Sequence, residues 1–422
     1  MVQQPIAVSI FDVNLRQKTV VLISLTILAL AFAIVPAAHA QTFTVLHNFT
    51  GGSDGANPLN GLTIDAAGNL YGTASAGGQR VSGCENYEGS YGCGTVFEMK
   101  PSGSGWVLTP LYEFPGGANN SNPTLGVVFG PDGALYGVAG TGLYRLAPGP
   151  TRCASFLCRW QENLLYTFQG QPDASTPSSR VIFDSTGNMY GVSYFGGAYD
   201  NGAIFQLIHP GSGWTESVIH SFNSEGGLSQ GLPEGSLVID HSGDLYGTTD
   251  CSATHGCFWG AVWELQPSQS GWNLTNLYQW GLGDGYQPVG VISDSSGNLY
   301  GADFGDGGSD IPGAIYELSP SGGGWNYTQL HGYPIGDLAN GLVMDSAGNL
   351  YGGDYEYGYG YIFKLSNPGN GWIFTTLHTF SQSDGEFPCM LLATPQGCPS
   401  MVSGKGRYGV RREGRSSLRR GA

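Results

Sequence analysis

The sequence predicts an all-β fold, a β-propeller of six or seven four-stranded blades, and three observations predict it. A tyrosine-bearing phrase recurs at Tyr71, Tyr136, Tyr190, Tyr246, Tyr300 and Tyr351, at spacings of 65, 54, 56, 54 and 51 residues. A period of that size marks repeated supersecondary units. Each period holds four short apolar runs with turn signals between them, the pattern of a propeller blade. Beyond residue 40 no stretch shows the periodicity of a helix.

The first element is not part of the repeat. Arg16 and Lys18 precede the apolar run 19–37, and Ala38-His39-Ala40 follows it, the layout of a secretory signal cleaved before Gln41. An uncleaved anchor is the rival reading, against which the run is short for a span. No Cys follows the cleavage point, so a lipoprotein is not expected. No later segment is long or apolar enough to span a bilayer as a helix.

Residues 41–398 form the predicted repeat domain. Each unit has a Gly-rich turn ending in Trp, at Trp106, Trp214, Trp272, Trp325 and Trp372, with Trp160 a degenerate copy. A strand such as LTPLYEF or IFTTLHTF follows, then a turn D-G-x-x-P closing at Pro58, Pro288 and Pro388, then an apolar strand such as GLTID or GLVMD. The phrase D-x-x-G-N-L-Y-G comes next, and last G-x-V/I-F/Y-x-L. In that phrase Asp65, Asp184, Asp240, Asp294 and Asp345 are turn formers whose carboxylates accept backbone N–H bonds. Gly68, Gly133, Gly187, Gly243, Gly297 and Gly348 supply the left-handed conformation of a type I turn with a bulge. Leu70 and Tyr71 are both apolar although neighbours on a strand face opposite ways, so both faces of the sheet are expected to be covered.

Six units carry the full set, while the outer-strand phrase occurs seven times, first in TFTVLHNF and last in IFTTLHTF. A blade shared between the two ends of the chain would close the ring without free edges. A seventh unit starts in DGEFP388, but CPSM then replaces NLYG. Residues 399–422 turn to Gly, Ser, Lys and Arg and are expected to be a disordered basic tail, with a composition that suits an altered reading frame.

Between 41 and 398 the chain has 7 basic and 30 acidic residues, a formal charge of 7 − 30 = −23. Such a surface repels phosphate backbones and excludes nucleic acid as the expected partner. The 8 Cys fall into close pairs, Cys84 with Cys93, Cys153 with Cys158, Cys251 with Cys257 and Cys389 with Cys398. Export and short loops favour local disulfides. Zinc is the rival, and only His255 lies within any pair to support it.

D-x-x-G-N-L-Y-G-T, G-x-V-F-x-L-x-P and G-W…L-Y-x-F-x-G-G-x-D-G-x-x-P, recurring in this order over about 42–390, resemble the GloVer-type tandem repeat of exported bacterial choice-of-anchor proteins. That resemblance implies a repeat fold and an extracellular or cell-surface location, and no established activity. More distantly, GLVMDSAGNLYG is similar to the inner strands of NHL-repeat and gluconolactonase-like β-propellers. Those enzymes hold a metal with Glu and Asn/Asp on the central axis. Here Glu234, Asn60 and Asn340 stand just before three inner strands and are the residues that could face it.

Propellers bind with the loops between second and third strands and between blades. Those loops carry aromatics the repeat does not require: Tyr87, Tyr91, Tyr194, Phe195, Tyr199, Phe258, Trp259, Phe304, Tyr355, Tyr357 and Tyr359. Rings beside carboxylates suit a carbohydrate surface, since rings stack on apolar sugar faces; the competing reading is that they pack the loops onto the blades. Asp303, Asp306 and Asp310 lie in a Gly-rich loop, so Ca2+ is the one candidate cofactor, with solvated turn residues as the alternative. His47 and His378 alternate with Tyr112 and Tyr278 in L-H/Y-x-F, which argues for packing. No nucleophile elbow, H-E-x-x-H or phosphate loop is present. The expected function is a secreted or cell-surface binding module, monomeric, for extracellular polysaccharide or protein. The alternative is a propeller enzyme, a lactonase, lyase or glycoside hydrolase with an acidic axial site. If the signal is cleaved as read, N-terminal sequencing of the exported protein yields Gln41 as its first residue; a chain retaining residues 1–40 would contradict it.

Overall fold

A computed structural model describes residues 43–58, 61–79, 84, 92–117, 121–149, 160–211, 213–223, 232–250, 260–281, 286–304, 313–333, 338–354, 360–381, 388–393 and 399–403. The chain divides into Met1–Thr44 and Val45–Ala422, and the second unit holds every strand. Among the described residues no helix is long and apolar enough to cross a membrane.

The architecture is a six-bladed β-propeller. Blade 1 is β1 (Thr63–Ile64), β2 (Leu70–Ala74), β3 (Thr95–Ser102) and β4 (Gly105–Glu113). Blade 2 is β5 (Val127–Phe129), β6 (Leu135–Ala139), β7 (Gly142–Ala147) and β8 (Gln161–Thr167). Blade 3 begins with an added strand, β9 (Ala174–Pro177), ahead of β10 (Ile182–Phe183), β11 (Met189–Gly196), β12 (Ala203–Ile208) and β13 (Thr215–Ser221). Blade 4 is β14 (Leu232–Ile239), β15 (Leu245–Asp250), β16 (Ala261–Ser268) and β17 (Gly271–Gln279). Blade 5 is β18 (Tyr286–Ser293), β19 (Leu299–Phe304), β20 (Gly313–Ser321) and β21 (Gly324–Tyr333), and blade 6 is β22 (Leu338–Met344), β23 (Leu350–Asp354), β24 (Tyr361–Ser366) and β25 (Ile373–Thr379). Each blade has four strands in an antiparallel meander in sequence order, and β9 alone departs from that order by pairing with β11.

The turn phrase is built as its residues require. Asp65 Oδ1 accepts the backbone N–H of Ala67 and Asn69, both at 2.9 Å, and Oδ2 accepts the Asn69 amide at 2.8 Å and meets the Tyr71 hydroxyl at 3.1 Å. Asp184, Asp294 and Asp345 repeat the set. Burial alone would raise these four carboxyls, but the bonds from the Asn and the backbone hold them below the ordinary carboxylate value. In blade 2 Gly130 stands in the Asp position, and Asp132, not read from the sequence as a turn former, takes over. It accepts from the backbone N–H of Ala134 at 3.1 Å and meets the Tyr136 hydroxyl at 3.2 Å.

Cores lie between blades. Tyr71, Val96, Leu111 and Phe114 of blade 1 pack with Val127, Leu135, Tyr144 and Leu146 of blade 2. Leu70 points the other way, into a core with Leu62, Phe97 and Met99. Alternation along β2 therefore sends one apolar neighbour to each side. The tyrosine ring meets the tryptophan of the next blade: Tyr71 with Trp160 at 6.4 Å, Tyr190 with Trp272 at 6.1 Å, and Tyr246 with Trp325 and Tyr300 with Trp372, both at 6.3 Å.

One glycine in each unit, and a second in three of them, are steric necessities. Gly72, Gly137, Gly191, Gly247, Gly301 and Gly352 sit directly across from Phe97, Tyr144, Phe205, Trp263, Tyr316 and Phe363. A Cβ at any of them would come within 2.2–2.6 Å of the facing ring, so the ring occupies the space a side chain would need. A second glycine opens the third strand: a Cβ on Gly94, Gly202 or Gly260 would lie 2.2–2.4 Å from Pro123, Pro233 or Pro288 of the following blade.

Between third and fourth strands the register slips beside the aromatic in all six blades, at Val96/Phe97, Leu143/Tyr144, Ile204/Phe205, Val262/Trp263, Ile315/Tyr316 and Ile362/Phe363. The bulge gives the outer strand one extra residue, which bends the strand and adds twist. At the chain ends, Leu46 and Phe49 pack on the blade 1 core, as Leu111 and Phe114 pack toward blade 2, yet residues 45–50 form no strand. β26 (Pro388–Ala393) pairs with β27 (Pro399–Ser403) and packs on β22 and β23. Pairing with β26 satisfies backbone groups of residues 399–403. Residues 404–422 lie outside the described residues. No pairing between the two chain ends occurs among the described residues.

Two substitutions in one repeat separate these roles. Gly247→Ala should cost about 1–3 kcal/mol through overpacking against Trp263, and Tyr246→Phe, which keeps the ring and loses the hydroxyl, about 0.5–1.5 kcal/mol. Urea unfolding checks both, and equal costs would contradict the steric account.

Candidate ligand-binding surface

Blade 3 carries the best-described candidate surface. β11 runs past its blade partners, and β9 pairs with the overhang, Ser193 opposite Pro177 and Phe195 opposite Ser175. Tyr194 and Phe195 thus lie on a strand, not in the loop where the sequence reading placed them, while Tyr199 sits in the following turn. Phe195 is 42% exposed and Tyr199 56%; Tyr194 is half-buried, its ring edge-on to Phe195 at 5.0 Å.

The segment is held firmly. Gly196 N donates to Asp200 Oδ1 at 2.9 Å, Gly197 N to Asp173 O at 2.9 Å and Ala198 N to Ser221 Oγ at 3.0 Å, and the Gln171 amide donates to Ala198 O at 2.8 Å. Rings on a fixed hairpin lose little conformational entropy on contact with a ligand. For Phe195 and Tyr199 the exposure contradicts a role in packing the loop down.

The other candidates divide between described and undescribed positions. Tyr87, Tyr91, Phe258, Trp259, Tyr355, Tyr357, Asp306 and Asp310 lie outside the described residues. Phe304 ends β19, and only its backbone is described. Asp303 is buried, and its carboxylate is engaged by the protein: Oδ2 accepts from Trp280 Nε1 and Oδ1 from Ala314 N, both at 3.0 Å. Among the described residues no three His, Cys, Asp or Glu side chains gather into a metal site. Cys84 and Cys93 form a disulfide with Cα atoms 5.0 Å apart, in the β2–β3 connection. Cys389 lies on β26; Cys153, Cys158, Cys251, Cys257 and Cys398 are outside the described residues.

The outer-strand His and Tyr do more than pack. His47 Nε2 lies 3.0 Å from Asp54 Oδ2, and Tyr166 donates to Asp173 Oδ2 at 2.9 Å, both across seven residues. Asp54 opens a D-G-x-x-P turn and Asp173 the stretch D-A-S-T-P, so each outer segment ties down the connection that follows it. Packing holds as well: His331 stacks on Phe374 at 4.2 Å and Tyr278 on Tyr327 at 4.5 Å, each across a blade boundary.

At the blade 2–3 boundary this tie meets a second acid. Glu216 of β13 is pushed up to about 8, first by burial and then by the charge of Asp173 and a hydrogen bond shared with it. Sequence reading missed this pair, because the residues are 43 positions apart (216 − 173) and only the ring of blades brings them together. The folded-state value lies above the ordinary 4.5, so this group favours the fold fully below that value, and its contribution is lost as pH rises towards 8. Glu216→Gln should therefore stabilise the protein at pH 8.5 by on the order of 1 kcal/mol, the scale of a partly screened charge pair, and have no such effect at pH 4. Thermal melts at both pH values check this; equal shifts would show that the acids do not interact.

Comparison with known proteins follows the fold. No curated protein matches the chain. Among solved structures, a protein from Lactobacillus plantarum is 15% identical, with a TM-score of 0.48, over 73% of this chain and 84% of that one. PorZ, a surface component of the type-IX secretion system of Porphyromonas gingivalis, is 14% identical, with a TM-score of 0.45, over 81% of this chain and 44% of its own. The PQQ-bound aldose sugar dehydrogenase of Streptomyces coelicolor is 14% identical, with a TM-score of 0.43, over 74% of this chain and 94% of that one. Residues 157–358, from the end of the β7–β8 connection to that between β23 and β24, match the family described as the Gloeobacter/Verrucomicrobia repeat. The tyrosine joints of blades 3 to 6, Tyr190, Tyr246, Tyr300 and Tyr351, lie within the segment that matches the Gloeobacter/Verrucomicrobia repeat.

Proposed function

We propose that the protein is an exported β-propeller acting as a binding module, and that it takes extracellular carbohydrate on the face bearing the β11–β12 hairpin. The observation that carries this reading is the exposure of Phe195 and Tyr199 on a hairpin fixed by four hydrogen bonds. Aromatic faces stack on the apolar faces of sugar rings, and Asp200 stands exposed beside Tyr199 to accept from hydroxyls. A fixed platform suits a repeating polymer, which offers the same sugar face many times.

An enzymatic reading has less support. Glycoside hydrolysis needs two carboxyls about 5 Å or more apart with substrate between them. Glu216, an acid whose pKa is raised by burial and by the carboxylate of Asp173, lies at a blade boundary where Asp173 is engaged by Tyr166 and the backbone of Gln169. The side chains of Asn60, Glu234 and Asn340 lie outside the described residues.

A Phe195→Ala, Tyr199→Ala double variant tests the binding reading. Both residues are exposed, so stability should stay within about 0.5 kcal/mol per site. On a glycan array followed by titration with the best polysaccharide, affinity should fall about tenfold or more, as expected for lost stacking contacts. Undiminished binding by a folded variant would overturn it.

A further inference from the structure

Each inner strand opens at an equivalent position, one residue before the apolar L/V of GLxxD. It is Gly61, Gly126, Ser236, Gly290 and Gly341 in five blades and Arg180 in blade 3. Between blades 4 and 5 the inner strands crowd one another there. A Cβ on Gly290 would come 2.8 Å from Ser236 N, and one on Gly235 2.6 Å from Gly290 N. Ser236 Oγ donates to Val291 O at 3.1 Å, and Ser178 Oγ to Pro233 O at 2.8 Å, each across a blade boundary. A long cationic side chain in that ring serves no turn and no core.

Four basic residues are described in the repeat domain, and three have partners. Lys100 pairs with Glu98 at 3.1 Å, Arg145 with Asp132 at 2.6 Å, and Lys364 lies over the Tyr351 ring at 5.7 Å. Arg180 has no hydrogen bond, ion pair or ring partner among the described residues. Its side chain keeps partial solvent contact while being enclosed enough that desolvation lowers its pKa. A half-buried charge with no partner in the protein is open to one from solvent. Arginine starts from about 12 or above, so it stays charged there. An enclosed, unpaired charge is costly, and that cost is recovered when an anion arrives.

We propose that Arg180 is the anchor of an anion site at the inner-strand ring, and that it takes the carboxylate of a small organic acid or an acidic sugar. A planar guanidinium matches a carboxylate through two parallel hydrogen bonds. One cation balances one monoanion. A phosphate dianion would need a second cation, and the formal charge of −23 (7 − 30) over residues 41–398 repels it more strongly. The neighbouring Ser178 and Ser236 hydroxyls are spent on carbonyls, so the guanidinium is the recognising group. The proposal rests on Arg180 and on none of the hairpin's aromatic residues, so it stands or falls independently of their role.

Titration calorimetry of the full-length protein with acetate, D-glucuronate and D-glucose at pH 7 is the test. Binding of acetate and glucuronate alike assigns the site to small organic acids, and binding of glucuronate alone assigns it to acidic sugars. In either case Arg180→Gln weakens binding of the acid by about tenfold or more, the scale of a lost charge-assisted hydrogen bond, and leaves any response to glucose unchanged. Phenylglyoxal labelling of Arg180 in the unaltered protein, read by mass spectrometry, should be slowed by the acid that binds, which keeps the test decisive if the variant does not fold. Failure of both acids to bind, equal binding by Arg180→Gln, or labelling that neither acid slows would overturn the proposal.

Discussion

The structure depends on one arrangement: a sheet that is covered on both faces by copies of itself. No blade can bury its apolar side chains alone, so stability resides in the boundaries. At each boundary a tyrosine is held at its hydroxyl by the carboxylate of its own turn, while in four of the boundaries its ring is seen to meet the tryptophan of the next blade. One side chain thereby fixes both the shape of a turn and the approach of a neighbour. Its repetition in six units is a packing requirement.

The remaining letters of the repeat are consumed the same way. The glycine after the tyrosine leaves room for the ring opposite, and the glycine opening the third strand leaves room for the proline of the next connection. The aspartates of two connections, Asp54 and Asp173, each bond to the His or Tyr seven residues before them. With the repeated residues occupied by architecture, the side chains that differ between blades stand outside it: exposed Phe195 and Tyr199, and Arg180 where other blades have glycine or serine.

Much of the fold was legible in the sequence because the joints are local. Asp65 to Tyr71 spans a single turn, and its residue types determine the conformation whatever surrounds them. The outer-strand bulges were not legible, since the extra residue at Leu111 or Leu277 looks like any other apolar residue in a strand. The role of Asp132 was hidden by a two-residue shift around Gly130. At the candidate surface, the sequence marked Tyr194, Phe195 and Tyr199 as rings the repeat does not need but could not tell exposed from packed. That depends on β9, whose pairing with β11 holds the hairpin out. The Asp173–Glu216 contact and the isolation of Arg180 are properties of the ring, and no local pattern announces them.

The residue directly across from each tyrosine differs from blade to blade: Glu98, Arg145, Gln206, Glu264, Glu317 and Lys364. Acid, amide and base all occupy the same seat, approaching the hydroxyl or the ring by different chemistry. Such tolerance makes the rim on the turn side an electrostatic keyboard, whose sign can be rewritten one blade at a time while the scaffold beneath stays unchanged.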